Sequence, residues 1–205
     1  MRFLKTTPEF DIAHLIRDLA WDTRKCPGLV VDVGGGDGSI AAALVRKFPS
    51  VKCIVQDVAS PTCTASVPDA WKDRLQFQCH NMFTEQPVQS ADVYFFRSTF
   101  HDWSDKYAIQ ILRNLIPALK NGVRIIANEV CIPTPNTSLI SGSAVVHFTY
   151  KFQRGYDLTM KQLFNSKERS AQEWMDLFAA ADNRFSLERI ISSPGSILAV
   201  IEGKR

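Results

Sequence analysis

The chain has 205 residues, a net charge of +3 and a hydrophobic content of 45%, which together predict one soluble globular domain with a substantial core. Lysine and arginine are scattered along the chain, which argues against a nucleic-acid partner. No apolar run reaches the roughly 18 residues of a membrane-spanning helix, and the opening apolar stretch is too short for a signal peptide. We therefore expect a cytoplasmic protein that binds neither membranes nor nucleic acids.

The cysteines give a further indication of compartment. They lie at Cys26, Cys53, Cys63, Cys79 and Cys131. Their number is odd, no two form a C-x-x-C pair, and three lie in or beside predicted strands. This pattern predicts reduced thiols and argues against a zinc site, so we expect no metal.

The first half of the chain alternates between strand-like and helix-like segments. Hydrophobic periodicity and turn residues predict helices over 8–23 and 39–47, and strands over 29–33, 51–56, 75–79 and 91–96. The first helix is predicted to end before Pro27-Gly28, and the second at Phe48-Pro49.

The second half begins with a strongly periodic helix over 104–120. Ser104 is its predicted N-cap, Asn121-Gly122 is its stop signal, and Pro117 predicts a kink in its last turn. A strand over 123–127, two or three helices within 138–181, and a closing hairpin of strands over 185–191 and 197–202 follow.

Strands that alternate with helices predict a parallel sheet covered on both faces. The last two strands are too close for a helical crossover, so one strand at that end must be antiparallel. The expected fold is α/β, a doubly wound and mostly parallel seven-stranded sheet with one antiparallel strand. Polar and glycine residues follow the predicted strand ends, where ligands bind in such sheets, at Gly34, Asp57, Asn81, Arg97 and Glu129.

Residues 30–39, VVDVGGGDGS, read as a buried strand, a glycine turn and a helix start. A dinucleotide fingerprint needs G-x-G-x-x-G, whereas here Gly34, Gly36 and Gly38 alternate and Ser39 stands where the third glycine would fall. This alternation favours S-adenosylmethionine (SAM), which has no pyrophosphate to bind. A glycine-rich turn without a ligand is the alternative.

Several longer motifs occur in a recognisable order. They are VQDV at 55–58, NMF at 81–83, ADVYFFRSTFHDWSD at 91–105, NEVCIP at 128–133, DLTMKQLFNSKERS at 157–170 and EW at 173–174. With the glycine turn, these motifs resemble those of the plant and fungal caffeate-type and hydroxyindole-type O-methyltransferases, most closely the fungal secondary-metabolite branch. The resemblance implies a Rossmann-like class I methyltransferase fold with SAM as cofactor.

The chain also departs from that family. Members usually carry an α-helical N-terminal domain for dimerisation, and Met1 stands roughly where that domain hands over to the catalytic one. We therefore expect residues 1–205 to be the catalytic domain alone, with a leading helical segment over 1–27. A homodimer, or association with another chain that supplies the missing domain, is the expected assembly. Asn81 replaces the usual aspartate, and Asn165-Ser166 replaces a common Gly-Gly pair.

The resemblance implies a set of cofactor-binding residues. They are Gly34, Gly36, Asp57, Val58, Asn81, Met82, Phe83 and Arg97. Asp57 would accept hydrogen bonds from both ribose hydroxyls, and Arg97 would lie near the cofactor carboxylate. The alternatives are a loop acid at Asp57, core packing at Met82 and Phe83, and a surface arginine at Arg97.

His101 is the predicted general base. A phenol has a pKa near about 10, so a base is needed, and a histidine with a pKa of about 6.5 can be neutral and ready. By resemblance, Glu129 and Glu168 flank the imidazole and orient it, although Glu168 could simply pair with neighbouring cations. Asp102 is predicted to cap the helix that follows.

Other candidates have weaker support. Met160 and Phe164 could line an aromatic acceptor or pack in the core, whereas Trp103 and Trp174 are predicted core residues. No motif supports a ligand role for His14, His80 or His147.

Three hypotheses about function follow. The first is a SAM-dependent O-methyltransferase that acts on a hydroxyl of a small aromatic or polyketide-like metabolite. The second is a SAM-binding relative that promotes pericyclic or dehydrative chemistry without methyl transfer. The third is an inactive, truncated remnant that only binds.

Overall fold

The computed structural model describes residues 7–58, 67, 69–133 and 144–205, and for residues 144–149 it describes the backbone only. Within these ranges eight strands form one sheet. The strands are β1 (Leu29–Val33), β2 (Lys52–Asp57), β3 (Leu75–Cys79), β4 (Val93–Arg97), β5 (Arg124–Ile132), β6 (Arg169–Ser170), β7 (Ser186–Ile191) and β8 (Leu198–Lys204).

Seven strands follow the order β3-β2-β1-β4-β5-β8-β7, and the two-residue β6 pairs with β5 beside this path. β8 runs antiparallel to both of its neighbours, and the other pairings are parallel. The predicted seven-stranded path with one antiparallel strand is therefore confirmed. β6 was not predicted, because a two-residue strand has too little sequence to show a period.

Helices cover both faces of the sheet. They are α1 (Ile12–Leu19), α2 (Ser39–Lys47), α3 (Asp105–Leu115), α4 (Ala144–Phe164) and α5 (Ala171–Ala181). Val93 and Phe95 of β4 pack in one cluster with α1 and α2, whereas Tyr94 and Phe96 pack in another with α3 and α5. Because both faces of β4 are covered, the strand reads as a continuous apolar run.

The first predicted helix, over 8–23, is shorter than expected. Pro8–Phe10 forms a separate 3₁₀ turn, and the Asp11 side chain accepts a hydrogen bond from the Ala13 N–H at 2.8 Å, so the α-helix begins at Ile12. It ends at Leu19 because Ala20 adopts a left-handed conformation with φ of 50°.

The helix predicted over 104–120 also ends early. α3 stops at Leu115, and Ile116–Ala118 continues as a 3₁₀ turn around Pro117, which confirms the predicted disturbance. Ser104 is the N-cap residue as predicted, but its side chain makes no capping hydrogen bond.

Two further predictions about the chain need correction. The fifth strand was predicted to end at 127, but β5 continues to Ile132, so Glu129 lies inside the strand rather than beyond it. Cys79 is disulfide-bonded, whereas Cys26, Cys53 and Cys131 are free, so the prediction of five reduced cysteines is wrong at Cys79. In the region predicted to hold two or three helices, the described residues contain α4 and α5.

Candidate active site

The turn after β4 brings His101 to the carboxyl end of the sheet. β4 ends at Arg97, and the 3₁₀ turn Phe100–Asp102 begins after Ser98 and Thr99. The His101 side chain is buried, with 2% of the residue exposed. Burial of a titratable side chain at the ligand-binding edge of a doubly wound sheet marks a candidate functional site.

Two carboxylates lie on one side of the imidazole. Nδ1 of His101 lies 3.0 Å from Oε1 of Glu168 and 3.8 Å from Oε2 of Glu129. On the other side, Nε2 has no hydrogen-bond partner within the described residues. The Glu168 contact favours the tautomer in which Nδ1–H donates to the carboxylate, and this tautomer leaves the Nε2 lone pair available to accept a proton.

Glu129 also fixes the turn that carries His101. Its Oε1 accepts hydrogen bonds from the backbone N–H groups of Thr99 and Phe100 at 2.7 and 2.8 Å. The two donors engage one oxygen of the carboxylate, so the other oxygen remains directed towards the imidazole. Glu129 therefore holds the backbone of the turn with one oxygen and places negative charge near the imidazole with the other.

Glu168 reaches the site from β6 and the segment before it. The Glu168 N–H donates to Oδ1 of Asp157 on α4 at 2.9 Å, which ties the segment to that helix. Ser166 donates from its hydroxyl to the carbonyl of His101. The guanidinium of Arg169, only 1% exposed, donates to the carbonyls of Phe100 and Trp103 at 2.9 and 2.8 Å, and it also pairs with Asp105. Through these hydrogen bonds the segment clamps the turn that carries His101.

These charges shift the pKa values of the whole group. Burial alone would lower the pKa of His101, but the carboxylates of Glu129, Glu168 and Asp102 outweigh it and raise that pKa to about 9. Burial raises the pKa of Glu129 to about 7 and also raises the pKa of Glu168, in both cases against the opposing effect of His101. The protonation of His101 therefore depends on the charges of the surrounding carboxylates.

Asp102 does not cap the following helix as predicted. Its Oδ1 is buried without a hydrogen-bond partner in the described residues and lies 3.5 Å from Nε2 of His101. Burial raises the pKa of the Asp102 carboxyl, and the charge of His101 opposes that rise. Trp103 and Ser104 separate Asp102 from the start of α3, so its carboxylate is too early in the chain to reach the first helical N–H groups.

The acidic residues and the histidine also form a set that could hold a metal ion. Ligand atoms of His101, Glu129 and Glu168 lie within 4.8 Å of one another. However, the Nδ1-to-Glu168 distance is that of a direct hydrogen bond, and Oε1 of Glu129 already accepts two backbone N–H groups. We interpret the group as an acid–base cluster, and the absence of a metal stays a prediction.

The glycine turn lies beside this cluster. Gly36 has φ of 56°, and a Cβ at its position would point into open space, whereas a Cβ at Gly38 would lie 2.7 Å from the ring of Phe77. The Gly36 N–H donates to Oδ2 of Asp57 at 3.0 Å, so the carboxylate at the end of β2 lies directly against the turn. A half-buried glycine that borders open space, with an adjacent acceptor, fits the tail and ribose of a nucleoside-like cofactor.

A cavity of about 690 Å³ opens at this turn, a size typical of small-molecule sites. Of the predicted cofactor residues, Gly34, Gly36 and Arg97 line it. Arg97 is half-buried rather than on the surface, and its guanidinium donates to Oδ1 of Asn128 at 2.7 Å and to the carbonyl of Phe10 at 2.6 Å. Arg97 therefore also holds the N-terminal turn over the cavity.

The other predicted cofactor residues do not line this cavity; they are Asp57, Val58, Asn81, Met82 and Phe83. Val58 is 64% exposed, and Oδ1 of Asn81 accepts a hydrogen bond from the N–H of Phe83 at 3.0 Å. Met82 lies next to the glycine turn, with its methyl carbon 3.7 Å from a Cβ placed at Gly34. Phe83 packs edge-on against Trp103 with ring centroids 4.6 Å apart.

Tyr156 was missed by the sequence reasoning. It lies on α4, lines the cavity, and its ring centroid is 5.8 Å from that of His101. The one sequence signal for its role is its spacing, since Tyr156 precedes Met160 by one helical turn and therefore lies on the same face of α4. Met160 itself is 2% exposed and packs in the interior, and Phe164 borders a second cavity of about 310 Å³ beside Asp102.

The chain is similar to fungal enzymes along nearly its whole length. It is 51% identical over 202 residues to the O-methyltransferase kk1A of Curvularia clavata, and the match covers 98% of this chain and 46% of that relative. It is 40% identical over 189 residues to the O-methyltransferase AMT9 of Alternaria alternata, at 91% and 42% coverage. It therefore spans less than half the length of these relatives.

Solved structures show the same fold. The chain matches LaPhzM with a TM-score of 0.75 and 28% identity, over 94% of this chain and 54% of that one. It matches LepI in its complex with SAM with a TM-score of 0.72 and 27% identity, over 93% and 46%. A chain described as a pericyclic reaction enzyme matches with the same TM-score, identity and coverage.

The sheet order, the glycine turn and these structural matches define a Rossmann-like class I methyltransferase fold. The sequence model of the O-methyltransferase domain family matches residues 10–184, which is most of the chain. The chain belongs to the O-methyltransferase domain family. None of the helices in the described ranges combines the length and hydropathy that a bilayer span requires.

Proposed function

We propose that this domain transfers a methyl group from SAM to a hydroxyl of a small aromatic or polyketide-like metabolite, with His101 as the general base. One observation carries the proposal. His101 is buried near the glycine-turn cavity, with Nδ1 held by Glu168 and Nε2 without a hydrogen-bond partner among the described residues. This is the arrangement of a base with its orienting acid.

SAM, when bound, supplies an electrophilic methyl group. Gly34 and Gly36 would hold its methionine part, Asp57 its ribose, and Asn81, Met82 and Phe83 its adenine, with Val58 and Arg97 alongside. The open space at Gly36 and the position of the Asp57 carboxylate support this assignment.

The chain's own residues account for the proton transfer. Nε2 of His101 would take the proton of the acceptor hydroxyl, and the resulting imidazolium would be stabilised by Glu168 and Glu129. A pKa of about 9 makes the neutral imidazole a stronger base, but leaves only about 1% of it neutral at pH 7. The site therefore favours reaction above neutral pH.

The remaining parts of the proposal concern the whole protein. Residues 1–205 would act as the catalytic domain, on a small hydroxylated acceptor, in the cytoplasm. A homodimer, or a second chain that supplies an N-terminal domain, would complete the acceptor pocket. The matched relatives extend well beyond the segment that corresponds to this chain, which supports a contribution to the acceptor pocket from outside residues 1–205.

The test is label transfer from methyl-labelled SAM to a panel of phenols. His101→Gln should lower the rate by about 10² to 10⁴-fold while SAM affinity, measured by calorimetry, stays unchanged. Glu188→Gln, at an exposed position on the edge strand β7, is the control and should keep full activity. Methyl transfer that survives His101→Gln would remove the base from the mechanism.

A second candidate function keeps SAM without methyl transfer. The match to a chain described as a pericyclic reaction enzyme favours it. Under this alternative, product forms from a suitable substrate while no S-adenosylhomocysteine accumulates. Quantifying S-adenosylhomocysteine against product by mass spectrometry separates the two functions.

A further inference from the structure

An aromatic side chain stands directly beside the imidazole. The ring of Tyr156 lies 5.8 Å from the ring of His101, centroid to centroid, at an interplanar angle of 43°. Phe152 stacks on Tyr156 at 6.1 Å and 13°, and Phe10 packs against it at 6.3 Å. The orientation of the Tyr156 ring is therefore fixed by packing on more than one side.

Tyr156 also borders the glycine-turn cavity. The same cavity is lined by Gly34, Gly36, Arg97 and Ser98 at the ends of β1 and β4. Tyr156 thus lies between the space proposed for the cofactor and the proposed base. A molecule in this cavity that extends towards His101 therefore meets the Tyr156 ring, which lines the cavity and lies 5.8 Å from the imidazole.

The hydroxyl of Tyr156 is available to a ligand. No described residue forms a hydrogen bond with it, whereas the buried phenol of Tyr94 donates to the carbonyls of Val88 and Ala118. Burial and the charges of Glu168, Glu129 and Asp102 raise the pKa of Tyr156, so the phenol stays neutral and remains a donor. A ligand oxygen is the natural acceptor for that O–H group.

We propose that Tyr156 contacts the acceptor and selects planar phenols that carry a second oxygen. The acceptor ring packs against the Tyr156 ring, and the Tyr156 hydroxyl donates a hydrogen bond to the second oxygen. The inference rests on the proposed function, since it takes the acceptor to approach His101. Tyr156 takes the acceptor-lining role that the sequence left open for Met160 and Phe164. Met160 is buried in the interior, and Phe164 borders the other cavity.

Two naphthols of the same shape separate the two contributions. 1-Naphthol has one oxygen, and 1,3-dihydroxynaphthalene has two. Their dissociation constants are measured by calorimetry on protein saturated with S-adenosylhomocysteine, and kcat/KM is measured with SAM. Tyr156→Phe keeps the ring and removes the hydroxyl, and Tyr156→Leu removes both. Leu163→Ala is the control from the same helix, because Leu163 is 67% exposed and lies outside the packing around Tyr156.

Tyr156→Phe should weaken binding of 1,3-dihydroxynaphthalene by about 3- to 10-fold and leave 1-naphthol unchanged. Tyr156→Leu should weaken both by about 10-fold or more, and Leu163→Ala should change either by less than about 3-fold. Circular dichroism checks folding, and Tyr156→Phe decides the result if Tyr156→Leu does not fold.

Equal affinity of the wild type and Tyr156→Phe for 1,3-dihydroxynaphthalene would overturn the inference, as would a wild type that binds neither naphthol. Because affinity is measured without methyl transfer, failure of the proposed function is seen separately. Tyr156-dependent binding without any S-adenosylhomocysteine formed from SAM would refute the methyltransferase proposal and leave the acceptor contact standing.

Discussion

Replacing Glu168 by glutamine tests the electrostatic design of the candidate site most directly. The substitution keeps the shape of the side chain but removes the negative charge that lies 3.0 Å from Nδ1 of His101. The His101 pKa rises from 6.5 to about 9, which corresponds to about 3 kcal/mol of stabilisation of the imidazolium. Glu129, Glu168 and Asp102 provide that stabilisation against burial, so removing one carboxylate should lower the pKa by roughly one unit.

The pKa is measured by NMR titration of ¹³C-labelled histidine in the ligand-free protein, with the His101 signal assigned from His101→Gln. We expect a midpoint near 9 in the wild type and a midpoint about one unit lower in Glu168→Gln. The rate of methyl transfer at high pH should fall by about 10- to 100-fold, because the imidazolium formed during proton transfer loses a counter-ion.

The matched control is Glu188→Gln, since Glu188 is an exposed acid on β7 far from the imidazole in the fold. It should leave both the titration and the rate unchanged. If Glu168→Gln shifted neither quantity, the interpretation of Glu168 as the orienting acid would be wrong. A titration midpoint near 6.5 in the wild type would refute the whole electrostatic account.

Three further predictions concern stability and the cofactor turn. Because the pKa of His101 is raised in the folded state, the stability that its protonation contributes is complete below pH 6.5 and is lost as the pH rises to about 9. The free energy of unfolding in urea should therefore fall by up to about 3 kcal/mol over that window, and by much less in His101→Gln. Gly36→Ala should weaken SAM binding in calorimetry and lower the free energy of unfolding in urea by only about 1 kcal/mol. Gly38→Ala should lower it by more than about 2 kcal/mol, because its Cβ would lie 2.7 Å from the Phe77 ring. Equal losses of stability for the two variants would contradict this reasoning. Arg169→Met leaves buried carbonyls without donors and should cost about 3 kcal/mol or more, and a melting temperature equal to that of the wild type would refute the clamp.

Local patterns were enough to predict much of the sheet. The bounds of β1 and β3 match the predicted strands, because short apolar runs flanked by turn residues have few alternatives. The reversal of β8 also followed from the short connection after β7, which leaves no room for a crossover. Boundaries set by single side chains were less accessible: the capping contact of Asp11 and the left-handed Ala20 shortened the first helix.

The residue types of the candidate site were also readable from motifs, but their mutual arrangement was not. His101, Glu129 and Glu168 are far apart in the chain, and only the pairing of β5 with β4 and β6 brings the two acids to the imidazole. The raised pKa of His101 depends on these distances and on burial, neither of which is a property of the local sequence.

The sequence by itself determined the class of fold and the glycine turn, because both depend on short-range patterns, and its resemblance at the HDWSD motif indicated His101 as the proposed base. The tertiary structure alone decided that Asp102 faces the imidazole instead of capping a helix, and that Tyr156 lies between the cavity and His101. Both depend on how elements distant in the chain pack together, and a side chain's partners across such a contact leave no periodic trace in its own segment.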